Sequence, residues 1–184
     1  MLAERLIQDD EEQLENKKIG VILGKAETEE SVDRIAGLKD GLEGSGCEIL
    51  WEYNYARGNQ NTSEIIASKK QVDYLVILDN WALEEVGEAA EENKYHGAKI
   101  YGVGSSEKAI VLLDNQNIEC LVVPDDYETG YMSMNEIAKK LRHSFYKMNS
   151  CETEVRIINK EDLYSKDLER FLSVSYTHLT LPTT

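Results

Sequence analysis

Cysteine, histidine, proline and basic residues are all scarce in this 184-residue chain, and each scarcity removes a class of function. The three cysteines, Cys47, Cys120 and Cys151, are odd in number and far apart, with no CxxC pair and no histidine at ligand spacing. Neither a disulfide framework nor a zinc site is indicated. Cys47 and Cys120 fall in strand-like runs, where a free cysteine behaves as a small buried hydrophobe. His96 and His143 have no nucleophile motif beside them and read as surface or satisfied histidines. GxSxG, HExxH and GxxxxGK[ST] are all missing, so no catalytic residue, cofactor or metal is predicted. Lys and Arg total 20 against 35 Asp and Glu, a net charge of -15. That field repels phosphate backbones and anionic membranes, which argues against direct nucleic-acid binding by this chain. Most of the acids lie in helix faces and first turns, as a solvated surface requires. No apolar run approaches the roughly 18 residues of a transmembrane helix, so no membrane insertion is predicted. The first 18 residues are acidic and amphipathic, unlike a signal peptide.

What is present is a repeated alternation of short apolar runs with helical patterns. The stretch VDYLVILDN, residues 72–80, is the central one. Tyr74 to Leu78 is too short for a helix core and rich in β-formers, which is how a strand buried on both faces of a parallel sheet reads. Further strands are predicted at 18–24, 47–53, 98–104, 118–124 and 154–159. Between them lie helical patterns: Leu2, Leu6, Ile7 and Leu14; then Val32, Ile35, Leu38 and Leu42 behind a Thr28 or Ser31 cap; then Ile65 to Ala67. Trp81, Leu83, Val86 and Ala89 or Ala90 mark the buried face of the next, and Ser105 or Ser106 caps the one after. A longer helix over about 127–148 carries Met132, Ile137, Leu141 and Phe145, and a last one covers 160–172. Six strands alternating with helices predict an α/β fold: a doubly wound, mostly parallel six-stranded sheet with helices on both faces and right-handed crossovers. The length suits one main domain, residues 1–172.

In such sheets ligands collect at the carboxyl ends of the strands. Aromatic and polar residues gather there: Tyr53, Tyr55 and Arg57 after the second strand, and Asp79, Asn80 and Trp81 after the third. Ser105 and Ser106 follow the fourth, and Asp125 and Tyr127 the fifth. Aromatic faces and paired polar groups suit a sugar ring, which presents apolar C–H faces and a rim of hydroxyls. These residues, Ser106 excepted, are the candidate ligand-binding rim. Each has a structural alternative, with Asp79, Ser105 and Asp125 as helix caps and Trp81 as core. The Gly-x-Gly of GVGSS (Gly102, Gly104) fits either a ligand approach or a tight turn. A phosphoacceptor receiver also carries an Asp after its third strand. It needs an acidic pair after the first strand and a Lys after the fifth. Here those places read Gly24-Lys25 and Pro124-Asp125, which argues against it.

Taken in order, KKIGVILG, a Ser-x-x-Arg-x-x-Gly pattern at Ser31, Arg34 and Gly37, VDYLVILDNWALEEVGEAAEE, AKIYGVGSS and VVPDDYETGY resemble the C-terminal lobe of type I periplasmic sugar-binding proteins. The lac repressor family's effector domains share that fold. The resemblance implies a solute-binding component of an ABC-type sugar or related small-molecule uptake system, with a carbohydrate ligand, an ABC permease as partner and no catalysis. It implies an extracytoplasmic location for the parent protein. The alternative is the effector-sensing domain of a lac-repressor-like transcription regulator, which is cytoplasmic. The family's N-terminal lobe would precede Met1, so the chain is expected to carry half of a cleft. Where ribose-type receptors place polar sugar contacts, Val32, Leu78, Gly104 and Pro124 stand here. Leaving sugar hydroxyls unpaired against them costs about 1 to 3 kcal/mol each, which argues against a ribose-like ligand held in that way. Residues 173–184 are set apart as an artefactual or disordered tail. VSYTHLTLPTT at 174–184 drops both the charge density and the periodicity before it, and resembles a translated sequencing adapter, so His178 is left out of site reasoning.

Overall fold

The computed structural model describes residues 1–9, 14–25, 28–58, 61–90, 93–165 and 168. The tail assigned to 173–184 lies outside them. Strands β1 (Lys18–Leu23), β2 (Glu48–Asn54), β3 (Tyr74–Ile77), β4 (Lys99–Val103), β5 (Cys120–Pro124) and β6 (Val155–Ile158) form one six-stranded sheet in the order β2-β1-β3-β4-β5-β6. The first five pair in parallel and β6 runs antiparallel along β5. Helices α1 (Leu2–Asp9), α2 (Glu29–Leu42), α3 (Thr62–Ala67), α4 (Asn80–Ala90), α5 (Glu107–Asp114) and α6 (Asp126–Arg142) connect or flank them, and a 3₁₀ turn spans Glu161–Tyr164.

The central strands read as continuous apolar runs because both faces are covered. Leu75 and Ile77 join Ile22, Ile100, Leu121 and Val123 in one core with Leu83 and Val86 of α4 and Ile110 and Leu113 of α5. Tyr74, Val76 and Leu78 turn the other way, joining Ile19, Val21 and Leu23 with Leu6 of α1 and Leu38 and Leu42 of α2. Alternation along each strand thus divides one run between two cores. A polar contact pins α1 to the second core: Arg5 pairs with Asp9 at 2.9 Å, and the hydroxyl of buried Tyr101 donates to Asp9 at 3.2 Å. Burial, then Asp9, raises the Tyr101 hydroxyl well above its ordinary pKa. Cys120 is buried in this core and its thiol is pushed up to about 12 by burial, so it is an unreactive hydrophobe. Cys47 is only half-buried, its Sγ 3.0 Å from the Ser45 hydroxyl.

Several expectations are corrected. Val32 is exposed, because α2 covers the sheet with its last turns. Ile7 is exposed, and Leu14 reaches the core from beyond the end of α1. The sixth helix ends at Arg142, and Ile137, Leu141 and Phe145 face solvent. After β6 the described residues show the 3₁₀ turn where a helix over 160–172 was predicted, and positions 166, 167 and 169–172 of that span lie outside them.

Candidate functional site

The chain runs from β1 outward to β2 and then crosses back to β3 on the other side of β1. A reversal of this kind opens a crevice at the carboxyl ends of the two diverging strands. Lys25, after β1, and Asp79, after β3, meet there. They line both of two adjoining depressions, together with Trp81. The first, about 700 Å³, is completed by Asn54, Tyr55, Ala56 and Arg57 from the end of β2. The second, about 340 Å³, runs toward β4 and β5, with Leu78, Val103 and Pro124 among its apolar walls and Ser31, Ser105 and Asp126 among its polar ones.

Trp81 is the most distinctive of these residues. It sits in the first turn of α4, 47% exposed, where the sequence pattern placed it in the core. The buried side of α4 is Ala82, Leu83, Val86 and Gly87, two i, i+4 pairs that leave Trp81 on the opposite side. The Arg57 guanidinium lies over its ring, 3.8 Å from the centroid. The stack holds a flat cation and a flat aromatic as one surface at the mouth of the depression.

The other predicted residues divide into those the fold brings to the crevice and those it uses elsewhere. Asp79 lines it, but its Oδ1 also accepts the Ala82 backbone N–H at 2.9 Å and so caps α4. Its other oxygen lies where a Cβ on Gly24 would come within 2.9 Å, so this crossing needs the glycine. Asn80 lines the second depression. Its Oδ1 accepts the Ser106 N–H at 3.3 Å and its Nδ2 donates to Glu84 at 2.9 Å, bridging the starts of α4 and α5. The Ser105 hydroxyl donates to Asp126 at 2.5 Å, while Ser106 caps α5 through Ala109 N–H. Tyr55 contributes to the wall but is buried, and burial followed by Glu85 raises its phenol pKa. Tyr53 lies half-buried beside Lys69 on the sheet edge, lining neither depression. Asp125 is buried and caps α6 through the Glu128 N–H at 2.8 Å, and Tyr127 is exposed on α6 and lines neither depression.

Lys25, Asn54 and Arg34 were not among the predicted rim residues. Arg34 was visible as part of the Ser-x-x-Arg-x-x-Gly pattern. Its Nη1 donates to the Leu78 carbonyl at 2.6 Å and its Nη2 pairs with Glu30 at 2.5 Å, so it ties α2 to the end of β3. The glycines of GVGSS serve packing: a Cβ on Gly102 would strike Leu83, and one on Gly104 would come within 2.5 Å of Asn80 Oδ1. Among the described residues no cluster of His, Cys, Asp and Glu is arranged to hold a metal ion.

Residues 1–144 match the sequence family described as periplasmic binding protein domain. The chain belongs to that family. The carbohydrate transporter solute-binding protein of Agrobacterium radiobacter, solved with D-arabinose, has the same fold at a TM-score of 0.78 and 19% identity, over 93% of this chain and 61% of that one. GanP, a glucose-galactose binding protein from Geobacillus stearothermophilus, matches at a TM-score of 0.74 and 19% identity, over 88% and 59%. A putative LacI transcriptional regulator from Bacteroides fragilis matches at 0.69 and 14%, over 88% and 58%. This periplasmic binding protein domain therefore spans about three fifths of the length of those structures. No curated protein sequence matches it significantly.

Proposed function

We propose that this domain forms one wall of a solute-binding cleft that takes a carbohydrate and does no chemistry on it. The observation that carries the reading is the Arg57–Trp81 stack beside the 700 Å³ depression at the sheet's switch point. An exposed indole accepts the C–H face of a sugar ring, and the donors and acceptors around it, Asn54, Arg57, Lys25 and Asp79, suit hydroxyls. In this reading the parent protein is the extracytoplasmic receptor of an ABC-type uptake system and hands its ligand to a permease. The likeness to a LacI-type regulator supports a second reading, an effector-sensing domain in the cytoplasm. A helix-turn-helix headpiece encoded upstream would select the second reading, and an export signal followed by another α/β lobe the first.

Indole N–H resonances provide the direct test, since the chain has two tryptophans. Titration with D-galactose, D-glucose and D-arabinose at tens of millimolar is expected to move Trp81 and leave Trp51, whose Nε1–H already donates to the Lys70 carbonyl, in place. With one wall, affinity is expected no tighter than about millimolar. Absence of any Trp81 shift would overturn the carbohydrate reading, and micromolar affinity would overturn the single wall.

A further inference from the structure

The first depression carries charge out of keeping with the chain around it. Lys and Arg total 20 against 35 Asp and Glu over the whole sequence, yet in the wall of the 700 Å³ depression Lys25 and Arg57 stand with a single carboxylate, Asp79. That carboxylate is committed to the fold: its Oδ1 accepts the Ala82 N–H at 2.9 Å and its other oxygen lies over Gly24. Among the described residues neither Lys25 nor Arg57 forms an ion pair, whereas Arg5, Arg34 and Arg156 each hold a carboxylate. Trp81 covers one face of the Arg57 guanidinium at 3.8 Å, which leaves the N–H donors in the guanidinium plane for an acceptor.

We propose, resting on the carbohydrate reading above, that this wall selects a sugar acid: a carbohydrate of the uronate class, its ring against the exposed part of Trp81 and its carboxylate on Arg57 and Lys25. Arginine and lysine side chains only donate, so a neutral hydroxyl placed between them is left with its own proton to dispose of. A carboxylate only accepts. It satisfies both cations without that mismatch, and its two oxygens match the flat edge of the guanidinium. Two cations with one acid leave a surplus of one positive charge, which a monoanion cancels. A phosphate suits the site less well. Phosphates collect at helix starts with free N–H groups, and at the start of α4 Asp79 already takes the Ala82 N–H and adds a negative charge of its own. The chain as a whole, at a net charge of -15, repels anions, so binding one here depends on these two side chains and not on the general field.

Matched titrations of the 184-residue chain, followed at the Trp81 indole N–H, test this. D-galacturonate, which is D-galactose oxidised to a carboxylate at C6, is expected to move Trp81 at roughly tenfold lower concentration than D-galactose at the same neutral pH and ionic strength. Lys25→Gln and Arg57→Gln are each expected to shrink that ratio to about threefold or less, with unchanged circular dichroism. Lys25→Arg keeps the charge and is expected to keep the preference. Equal concentrations for the two sugars overturn the sugar acid and leave the carbohydrate reading standing, whereas no movement of Trp81 with either sugar overturns both. Acetate that moves Trp81 as far as galacturonate does, at the same concentration, reveals a bare anion site and overturns the proposal. D-galactose 6-phosphate binding more tightly than galacturonate overturns the choice of a carboxylate. A galacturonate preference that survives both glutamine variants overturns the roles of Lys25 and Arg57.

Discussion

Trp81 and Asp125 each carried two readings in the sequence, binding rim or structure, and the fold separates them. Trp81 is exposed beside the crevice and not in the core, whereas Asp125 is a buried helix cap. The correct side of α4 was legible in the sequence, because Ala82–Val86 and Leu83–Gly87 are the tighter i, i+4 pairs. Its partner Arg57 was not, since the two residues are joined only through the crossing of β2, β1 and β3. Glu136 gives the residue scale its pH prediction. The Asn149 backbone N–H, the Lys139 ammonium and the Tyr146 hydroxyl all donate to this carboxylate, and they lower its pKa from 4.5 to about 2. A carboxyl depressed in the folded state stabilises it above the unfolded pKa and loses that contribution as pH falls through the folded one. Thermal melts of the native chain are therefore expected to lose stability between about pH 4.5 and 2. Glu136→Gln should remove this component, and an identical pH profile would show that the cluster contributes nothing.

At the scale of the element, helix caps were readable because the capping residue and its N–H lie three positions apart. Thr28 receives Ser31, Ser106 receives Ala109 and Asp125 receives Glu128, each from its own next turn. Which side of a helix meets the body was readable only where the body is near. α4 and α5 bury ordinary apolar stripes, whereas the residues predicted to line the sixth helix do not form one: Met132 is half-buried, Ile137 and Leu141 face outward, and Phe145 lies beyond its end. The α4–β4 contact depends on a glycine. Gly102→Ala is expected to cost about 1 to 3 kcal/mol in urea unfolding, because the new methyl meets Leu83 on a fully buried surface. A loss below a few tenths would mean that α4 shifts freely over the sheet. No such clash follows from Gly37→Ala, where a Cβ meets open space, and that variant is the control.

For the whole molecule, the two cores share the strands that divide them, so neither face can lose its packing without exposing the back of the other. Denaturant unfolding followed by tryptophan fluorescence, through Trp51 on the edge strand and Trp81 at the crevice, is expected to coincide with the far-ultraviolet signal in one transition. Separated midpoints would show that the two layers unfold independently. The alternation of strands and helices, the fold class and the family resemblance were determined by the amino-acid sequence alone. Burial on both faces writes itself locally, as apolar runs of strand length bounded by glycine, proline and Asx residues. The tertiary structure decided what local pattern cannot carry. The reversal of strand order brings Lys25, Arg57, Asp79 and Trp81 to one crevice from three separate loops. Among the described residues nothing packs over Tyr127, Tyr131 and Leu141 of α6, which face outward. Both depend on which segments become neighbours in space, and periodicity within a segment does not encode its neighbours.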